Sequence, residues 1–299
     1  MDLVSIISVN YNGFEDTCEL VDSLAKNELY FYELILVDNG SSVNEADQLR
    51  QRFASYVTER KLKIIRSESN LGFAGGNNLG LKEAIGNFIL FLNNDIIIKS
   101  SFLETLVSCF KSNPNVGIVS PKIKYAYDSD FIQYAGFTVL SPIFLRNEII
   151  GTRQLDNGKY DVSCITAYAH GACMMTSREV LNKVGPMTDV YFLFYEELDW
   201  SQHIKDAGYV VWYCSSVCVF HKEGMSIKKG TPLRTFFLNR GRMLYARRNY
   251  KGFTRFLSCS YQIFIAFPKN LLMSLYRKEW ANAWAFCRAV VHGLLDYKG

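Results

Sequence analysis

Acidic and imidazole side chains that close apolar runs are the chemically informative positions of this sequence. Asp38 follows the run 33–37, Asn93, Asn94 and Asp95 follow 88–92, Glu196, Glu197 and Asp199 open a predicted helix, and His221 follows the run 209–220. Hard divalent cations prefer oxygen ligands and often take only one or two carboxylates beside phosphate oxygens and water, so Asp95 can be a sole carboxylate ligand. A carboxylate can also take the proton of a reacting hydroxyl. Each group has a plainer use as well. Asp38 can cap a turn before Gly40, and three acids at a helix N-terminus favour the helix dipole. The glycines at 72, 75, 76 and 80 lack GxGxxG spacing and follow a third strand rather than a first, which argues against a dinucleotide loop. Cys214, Cys218 and His221 lack a fourth ligand at finger-like spacing, so zinc is not expected.

Holding these residues together requires a sheet. Apolar, β-rich runs at 3–9, 33–37, 61–66 and 88–92 alternate with helical patterns at 14–27 and 45–57, and each run ends in a polar cluster. A Gly-rich loop is expected at 70–80, with a helix continuing to 85. This alternation predicts an α/β fold with a parallel, doubly wound sheet whose ligands gather at the carboxyl ends of the strands. Residues 116–168 read as irregular, with antiparallel strands and loops. Helices follow at 177–184 and 195–207, and a last strand ends at His221. A Gly224–Gly230 loop then leads into a mostly helical tail.

Charge separates that tail from the rest. Residues 1–227 hold 19 Lys and Arg against 27 Asp and Glu, a net of −8; residues 228–299 hold 14 basic groups against Glu279 and Asp296, a net of +12. Phe, Tyr and Trp are interleaved with those bases, a mixture suited to an anionic membrane surface. The run 256–268 has only 13 uncharged residues, against roughly 20 needed to span a bilayer. Packing on the remainder of the chain, or a homodimer interface, is the plainer use of such helices. Nucleic-acid binding would explain the tail's charge but nothing in the acidic front. Residues 1–10 have an acid at position 2 and no basic n-region, so no secretory signal is expected, and eight cysteines without a disulfide framework read as reduced cytosolic thiols.

Five segments occur in order: VSIISVNYNG at 4–13, ELILVDNGSS at 33–42, NLGFAGGNNLG at 70–80, FILFLNNDIII at 88–98 and FLFYEELDWSQHIKDAGY at 192–209. Together they resemble the successive motifs of family 2 glycosyltransferases, over residues 3 to about 225. The resemblance implies a GT-A fold, with a mainly parallel sheet flanked by helices, and an inverting, metal-dependent transferase that uses a nucleotide-diphosphate sugar and Mg²⁺ or Mn²⁺. It places Asn10, Tyr11 and Asp38 at the nucleoside, Gly72 and Asn78 beside the ribose or diphosphate, and Asn94 in the DxD-like motif. Asp95 and His221 become the metal ligands. Glu197 falls at the position of the general base, with Glu196 and Asp199 as neighbouring acids, and His170, in the segment 168–187, contacts a sugar. The expected layout is a catalytic domain at 1–227, with a nucleotide-binding half at 1–115 and an acceptor half at 116–227, followed by a helical membrane-associating or packing extension at 228–299. Bacterial rhamnosyltransferases are among the similar sequences, which implies a glycan or polyprenyl-diphosphate-linked acceptor in cell-surface polysaccharide synthesis, met at the inner face of the cytoplasmic membrane. Two departures from the family pattern, Asn93 in place of a first acid and Glu in place of Asp at 197, motivate the alternative of a catalytically silent nucleotide-sugar-binding or scaffold subunit.

Overall fold

Apolar runs long enough to be covered on both faces dictate the centre of the molecule. FILFL at 88–92 is buried at every residue, as expected of a strand between two helical layers. The computed structural model describes residues 2–58, 61–222 and 230–296. The first part runs β1 (Val4–Asn10), α1 (Phe14–Asn27), β2 (Tyr32–Asp38), α2 (Glu45–Arg52), α3 (Ala54–Thr58), β3 (Leu62–Arg66), α4 (Gly72–Leu81), β4 (Phe88–Leu92), β5 (Ile96–Ile97) and α5 (Leu103–Ser112). Then come β6 (Val116–Tyr125), β7 (Phe131–Tyr134), β8 (Gln154–Leu155), β9 (Cys164–Thr166), β10 (Cys173–Ser177), α6 (Arg178–Val184), a 3-10 turn (Asp189–Tyr191), α7 (Glu196–Asp206) and β11 (Val210–His221). The tail is α8 (Pro232–Asn249), α9 (Gly252–Tyr261), a π-helical turn (Gln262–Ala266), α10 (Phe267–Tyr276) and α11 (Trp280–Leu295).

The main sheet has the order β3-β2-β1-β4-β10-β6-β11-β5. Its first four strands are parallel, as expected, and in register Asn10 pairs with Asp38 and Asp38 with Arg66, so three strands end at one level. The sheet is not parallel throughout. β10 runs antiparallel to both β4 and β6, while β11 is parallel to β6. After β6 the chain leaves the main strand order for β7, antiparallel to β6, β8, antiparallel to β7, and β9, antiparallel to β11, and rejoins that order through β10, a return that local periodicity does not register.

Two expected elements differ in extent. The helix expected at 45–57 breaks at Phe53, whose side chain is buried in the core. The Gly-rich segment expected as a loop is itself α4. Glycine weakens a helix interior by roughly 0.5–1 kcal/mol each, but here it permits close packing on the sheet. A Cβ on Gly76 would lie 2.9 Å from Val9 Cγ1, and one on Gly80 would lie 2.6 Å from Ile7 Cγ2 and 3.0 Å from Val37 Cγ2. Gly80→Val is therefore expected to lose about 2 kcal/mol by overpacking. That is on the order of 5 °C in the melting temperature, read by calorimetry. An unchanged melting temperature would show that the helix can lift off at no cost.

The tail packs on the rest of the chain. Thr231 caps α8, its hydroxyl accepting from Arg234 N, and Pro232 occupies the first turn, where no backbone donor is needed. Leu244, Tyr245 and Ala246 of α8 share an apolar cluster with Leu140, Leu145, Tyr168, Tyr191, Tyr195 and Leu198. On its other side α8 meets α11, where a Cβ on Gly293 would lie 2.7 Å from Met243 Cβ. Among the described residues no helix is long and apolar enough to cross a membrane. The expected Gly224–Gly230 loop falls almost wholly outside the described residues.

Candidate active site

Strand ends and helix starts converge at one edge of the sheet. At the end of β1, Asn10 is buried and its amide is used at both ends: Nδ2 donates to Glu45 Oε2 at 2.7 Å and Oδ1 accepts from Thr17 Oγ1 at 2.8 Å. Asn10 thus ties α1 and α2 to the strand, whereas the adjacent Tyr11 is 47% exposed. Asp38 is fully buried, accepting from Ser41 N at 3.1 Å and Ala46 N at 3.2 Å, with Arg66 Nη1 3.5 Å away. It shapes the loop over the edge of the sheet. Arg66 was not singled out from the sequence, although it closes the third apolar run as Asp38 closes the second; its Nη1 is buried without a hydrogen bond.

Gly72 has φ +74°, and a Cβ there would lie 2.2 Å from Phe192 O, so α4 touches the segment before α7 through backbone. Asn78 donates through Nδ2 to Met187 O at 2.7 Å, and its buried Oδ1 has no partner. Past β4, Asn94 Nδ2 donates to Thr17 Oγ1 at 2.9 Å, directed back towards β1.

Asp95 and His221 meet. His221 Nε2 lies 3.0 Å from Asp95 Oδ1, and Nδ1 lies 2.8 Å from Gln133 Oε1. Since an amide oxygen only accepts, Nδ1 carries a proton, and in the neutral ring Nε2 presents its lone pair towards Asp95. Asp95 Oδ1 is buried with no hydrogen-bond donor. Burial raises the Asp95 carboxyl; when the ring is protonated instead, Nε2 donates to Asp95, and that contact, together with Lys222, outweighs burial and holds the carboxyl below the usual carboxylate range. With the ring neutral, Asp95 and His221, the imidazole anchored behind by an amide, could supply one oxygen and one nitrogen ligand to a divalent cation. Among the described residues no cluster of three or more His, Cys, Asp or Glu side chains forms a complete cage. Gln133 carried no sequence signal because it lies in the irregular stretch.

His170 packs beside this pair. Its ring lies 6.2 Å from that of His221 and stacks on Phe137 at 5.9 Å. Burial, with help from His221 and against Asp95, pushes its pKa down to about 3. The ring is neutral, with Nδ1 accepting from Ala172 N at 3.1 Å, which leaves Nε2–H as its donor. The next residue, Gly171, stands beside Glu197: a Cβ there would lie 3.8 Å from Glu197 Cγ and 3.6 Å from Phe73 Cζ.

Glu196 and Glu197 open α7 after a strained approach, with Phe192, Phe194 and Tyr195 all at φ between 66° and 77°. Left-handed backbone at bulky residues persists only where the surroundings hold it. Here Phe73 N donates to Phe192 O at 2.8 Å, Tyr195 OH to Leu145 O at 2.7 Å and Arg240 Nη1 to Tyr191 O at 3.0 Å. Burial raises both carboxyls; the charge of Glu197 raises Glu196 further, and Glu196 Oε2 has no partner. Glu197 is pushed up to about 7 and is the more exposed of the two.

Asp199, expected as a third candidate acid, has a different occupation. Its carboxylate receives Arg248 Nε at 3.1 Å and Nη2 at 3.2 Å, Asn249 Nδ2 at 2.6 Å and Tyr191 OH at 2.8 Å. With both oxygens committed it is a buried anchor for α8. In the residue order Arg248 is one of a row of tail charges, with nothing local to mark it as the partner of Asp199.

A model of the family described as Glycosyl transferase family 2 matches residues 5–185, more than half of the chain. A low-salt glycan biosynthesis hexosyltransferase of Haloferax volcanii is 27% identical over 75% of this chain and 68% of its own length. A dTDP-rhamnosyl transferase of Shigella flexneri is 23% identical over 82% and 80%. In two further relatives the match takes in only 34% and 37% of the relative's length. A mannosyltransferase of Pyrobaculum calidifontis, solved with GDP-Man and Mn²⁺, superposes with a TM-score of 0.60 over 99% of this chain and 88% of its own, at 17% identity. That likeness shows a shared GT-A fold.

Proposed function

This chain belongs to glycosyl transferase family 2, and from that premise we propose that it moves a sugar from a nucleotide-diphosphate sugar to a hydroxyl of a glycan or polyprenyl-diphosphate-linked acceptor, with inversion at the anomeric carbon. The product belongs to cell-surface polysaccharide synthesis at the inner face of the cytoplasmic membrane. The relative named for dTDP-rhamnose places that donor first among those to test. One observation carries the reading: a carboxyl raised to about 7, Glu197, beside a run of neighbours, Gly171 and His170, that leads to Asp95 and His221.

In this mechanism Glu197 takes the proton of the acceptor hydroxyl while that oxygen forms its bond to the anomeric carbon. The bond from that carbon to the diphosphate oxygen breaks on the opposite face, and its electron pair leaves with the diphosphate. A pKa near the working pH suits the task, because the base is largely ionised yet still basic. His170, held neutral, offers Nε2–H to a sugar hydroxyl without adding charge. Asp95 and His221 would hold Mg²⁺ or Mn²⁺, which when bound supplies positive charge to the departing diphosphate. Tyr11 and Arg66 are the groups at the nucleoside end with capacity left for a ligand. The reading of a silent binding subunit draws on Asn93, which stands where a second carboxylate would strengthen the cation site.

A screen of UDP-, dTDP- and GDP-sugars with Mg²⁺ or Mn²⁺ by thermal unfolding tests the proposal. At a hundredfold excess over Kd the cognate donor is expected to stabilise by about 2.7 kcal/mol, and removal of the metal is expected to reduce the shift. No shift with any sugar nucleotide would overturn it.

A further inference from the structure

The outer helices of the tail are built inside out. Along α9, the π-helical turn and α10, the residues turned inward are Ser258, Gln262 and Ser274; in α11 they are Ala283, Ala285, Ala289 and Gly293. The large apolar side chains point to solvent. Phe253, Phe256, Phe264, Leu272, Trp280 and Trp284 are each 64–74% exposed. Six such groups on neighbouring helices expose on the order of several hundred Å² of apolar side chain, the scale of the patches that mark interaction sites. The inward face is accounted for, since Gln262 donates to Ile143 O and Phe144 O and the small residues of α11 admit α8 and α10 closely.

The basic residues of the tail fall into two populations. Those of α8 are spent within the chain: Arg248 on Asp199, Arg240 on Asp296 and Arg234 over the Phe194 ring. Lys251, Arg255, Lys269, Arg277 and Lys278, on the outer helices and the turns flanking them, are exposed among the aromatic residues, with Glu279 the only acid between 250 and 290. Exposed aromatic rings interleaved with cations match the headgroup region of an anionic bilayer, where rings seat at the interface and cations meet lipid phosphate. A second copy of this chain fits less well, because a two-fold contact would set this cationic face against itself.

We infer that the outer face of α9, α10 and the start of α11 is the surface by which the protein lies on an anionic lipid bilayer, while α8 belongs to the catalytic body. The inference rests on the reading of a membrane-borne acceptor and names the surface that brings the enzyme to it. α8 stands between this face and α7, so docking would hold Glu197 within one or two helix diameters of the bilayer, about 10 Å each.

The test is sedimentation of the full chain with vesicles of phosphatidylglycerol and phosphatidylcholine, beside vesicles of phosphatidylcholine alone. Two variants accompany it: Phe253→Ser with Phe256→Ser, Trp280→Ser and Trp284→Ser, and Arg255→Glu with Arg277→Glu and Lys278→Glu. The unsubstituted chain is expected to pellet with the anionic vesicles at least tenfold more than either variant, and more than with phosphatidylcholine alone. Both variants are expected to keep the donor-induced thermal shift of the parent, which separates failure of docking from failure of the transferase reading. The inference is overturned if the parent stays in the supernatant, if the variants pellet equally, or if light scattering shows a parent dimer that the Ser variant loses.

Discussion

Glu197→Gln is expected to lower turnover by about 10³-fold or more, the upper part of the range for loss of a general base, while leaving donor binding intact. In the parent, kcat/KM is expected to rise about tenfold per pH unit below about 7 and level above it, because with Glu197 as the base only the ionised carboxylate accepts the proton. The same substitution stabilises the fold in a pH-dependent way. Burial raises the carboxyl from its ordinary 4.5 to about 7, so between those values the folded protein holds a proton that the unfolded chain has released. Stability therefore falls as pH rises through that window, and the loss is complete above it. An amide has no proton to lose, so the variant is expected to unfold at a higher temperature than the parent at pH 8, by on the order of 2 kcal/mol, with the gap closing towards pH 5. Thermal unfolding at the two pH values, beside turnover and donor affinity, checks all three consequences. Retention of a tenth of the parent turnover would remove Glu197 from the mechanism, and an equal gain at both pH values would remove its raised pKa.

Arg248→Ala costs about 3–5 kcal/mol, the expected loss when one partner of a buried ion pair is removed and the other is left charged. Asp199 is 1% exposed on its side chain and Arg248 17%, so water cannot replace the guanidinium freely. Adding Asp199→Asn to Arg248→Ala is expected to recover part of the loss, because the remaining group no longer needs a counter-charge, and the amide can still meet Tyr191 and Asn249. Denaturant unfolding of the two single variants and the double variant measures the coupling. Additive effects would mean that the pair stabilises nothing. Turnover is expected to fall with stability in Arg248→Ala, since Asp199 lies two residues after Glu197 and the strained turn before it leans on α8 through Arg240. A fragment ending at residue 227 removes Leu244, Tyr245 and Arg248 together and is expected to be weaker still.

Parts of this site were plain in the residue order. Asp38 and Asp95 each follow an apolar run, and parallel register then sets β1, β2 and β3 to end level, which also explains why Arg66 belongs with them. His221 was visible as the end of the last run, but its anchor Gln133 comes from β7, 88 residues away, in a stretch without periodicity. Asp199 shows the opposite case. A third acid on a helix start resembles its neighbours in sequence, and only its position against α8 gives it Arg248, 49 residues later, as partner. α4 was misplaced because glycine signals a loop locally, whereas here it serves the close approach of a helix to Val9 and Ile7.

Residue order alone therefore established the α/β class, the family and the types of group available for cation and proton chemistry, since these follow from local periodicity and from side-chain identity at the ends of runs. It also established the opposed charges of front and tail, a matter of counting. Which acid stands beside Gly171 and which is buried against an arginine, the reversed direction of β10, and the division of the tail's cations between the packed body and solvent arose only on folding. Each of these depends on contacts between residues far apart in the chain, and burial, which sets both pKa and pairing, is a property of the packed molecule rather than of any segment within it.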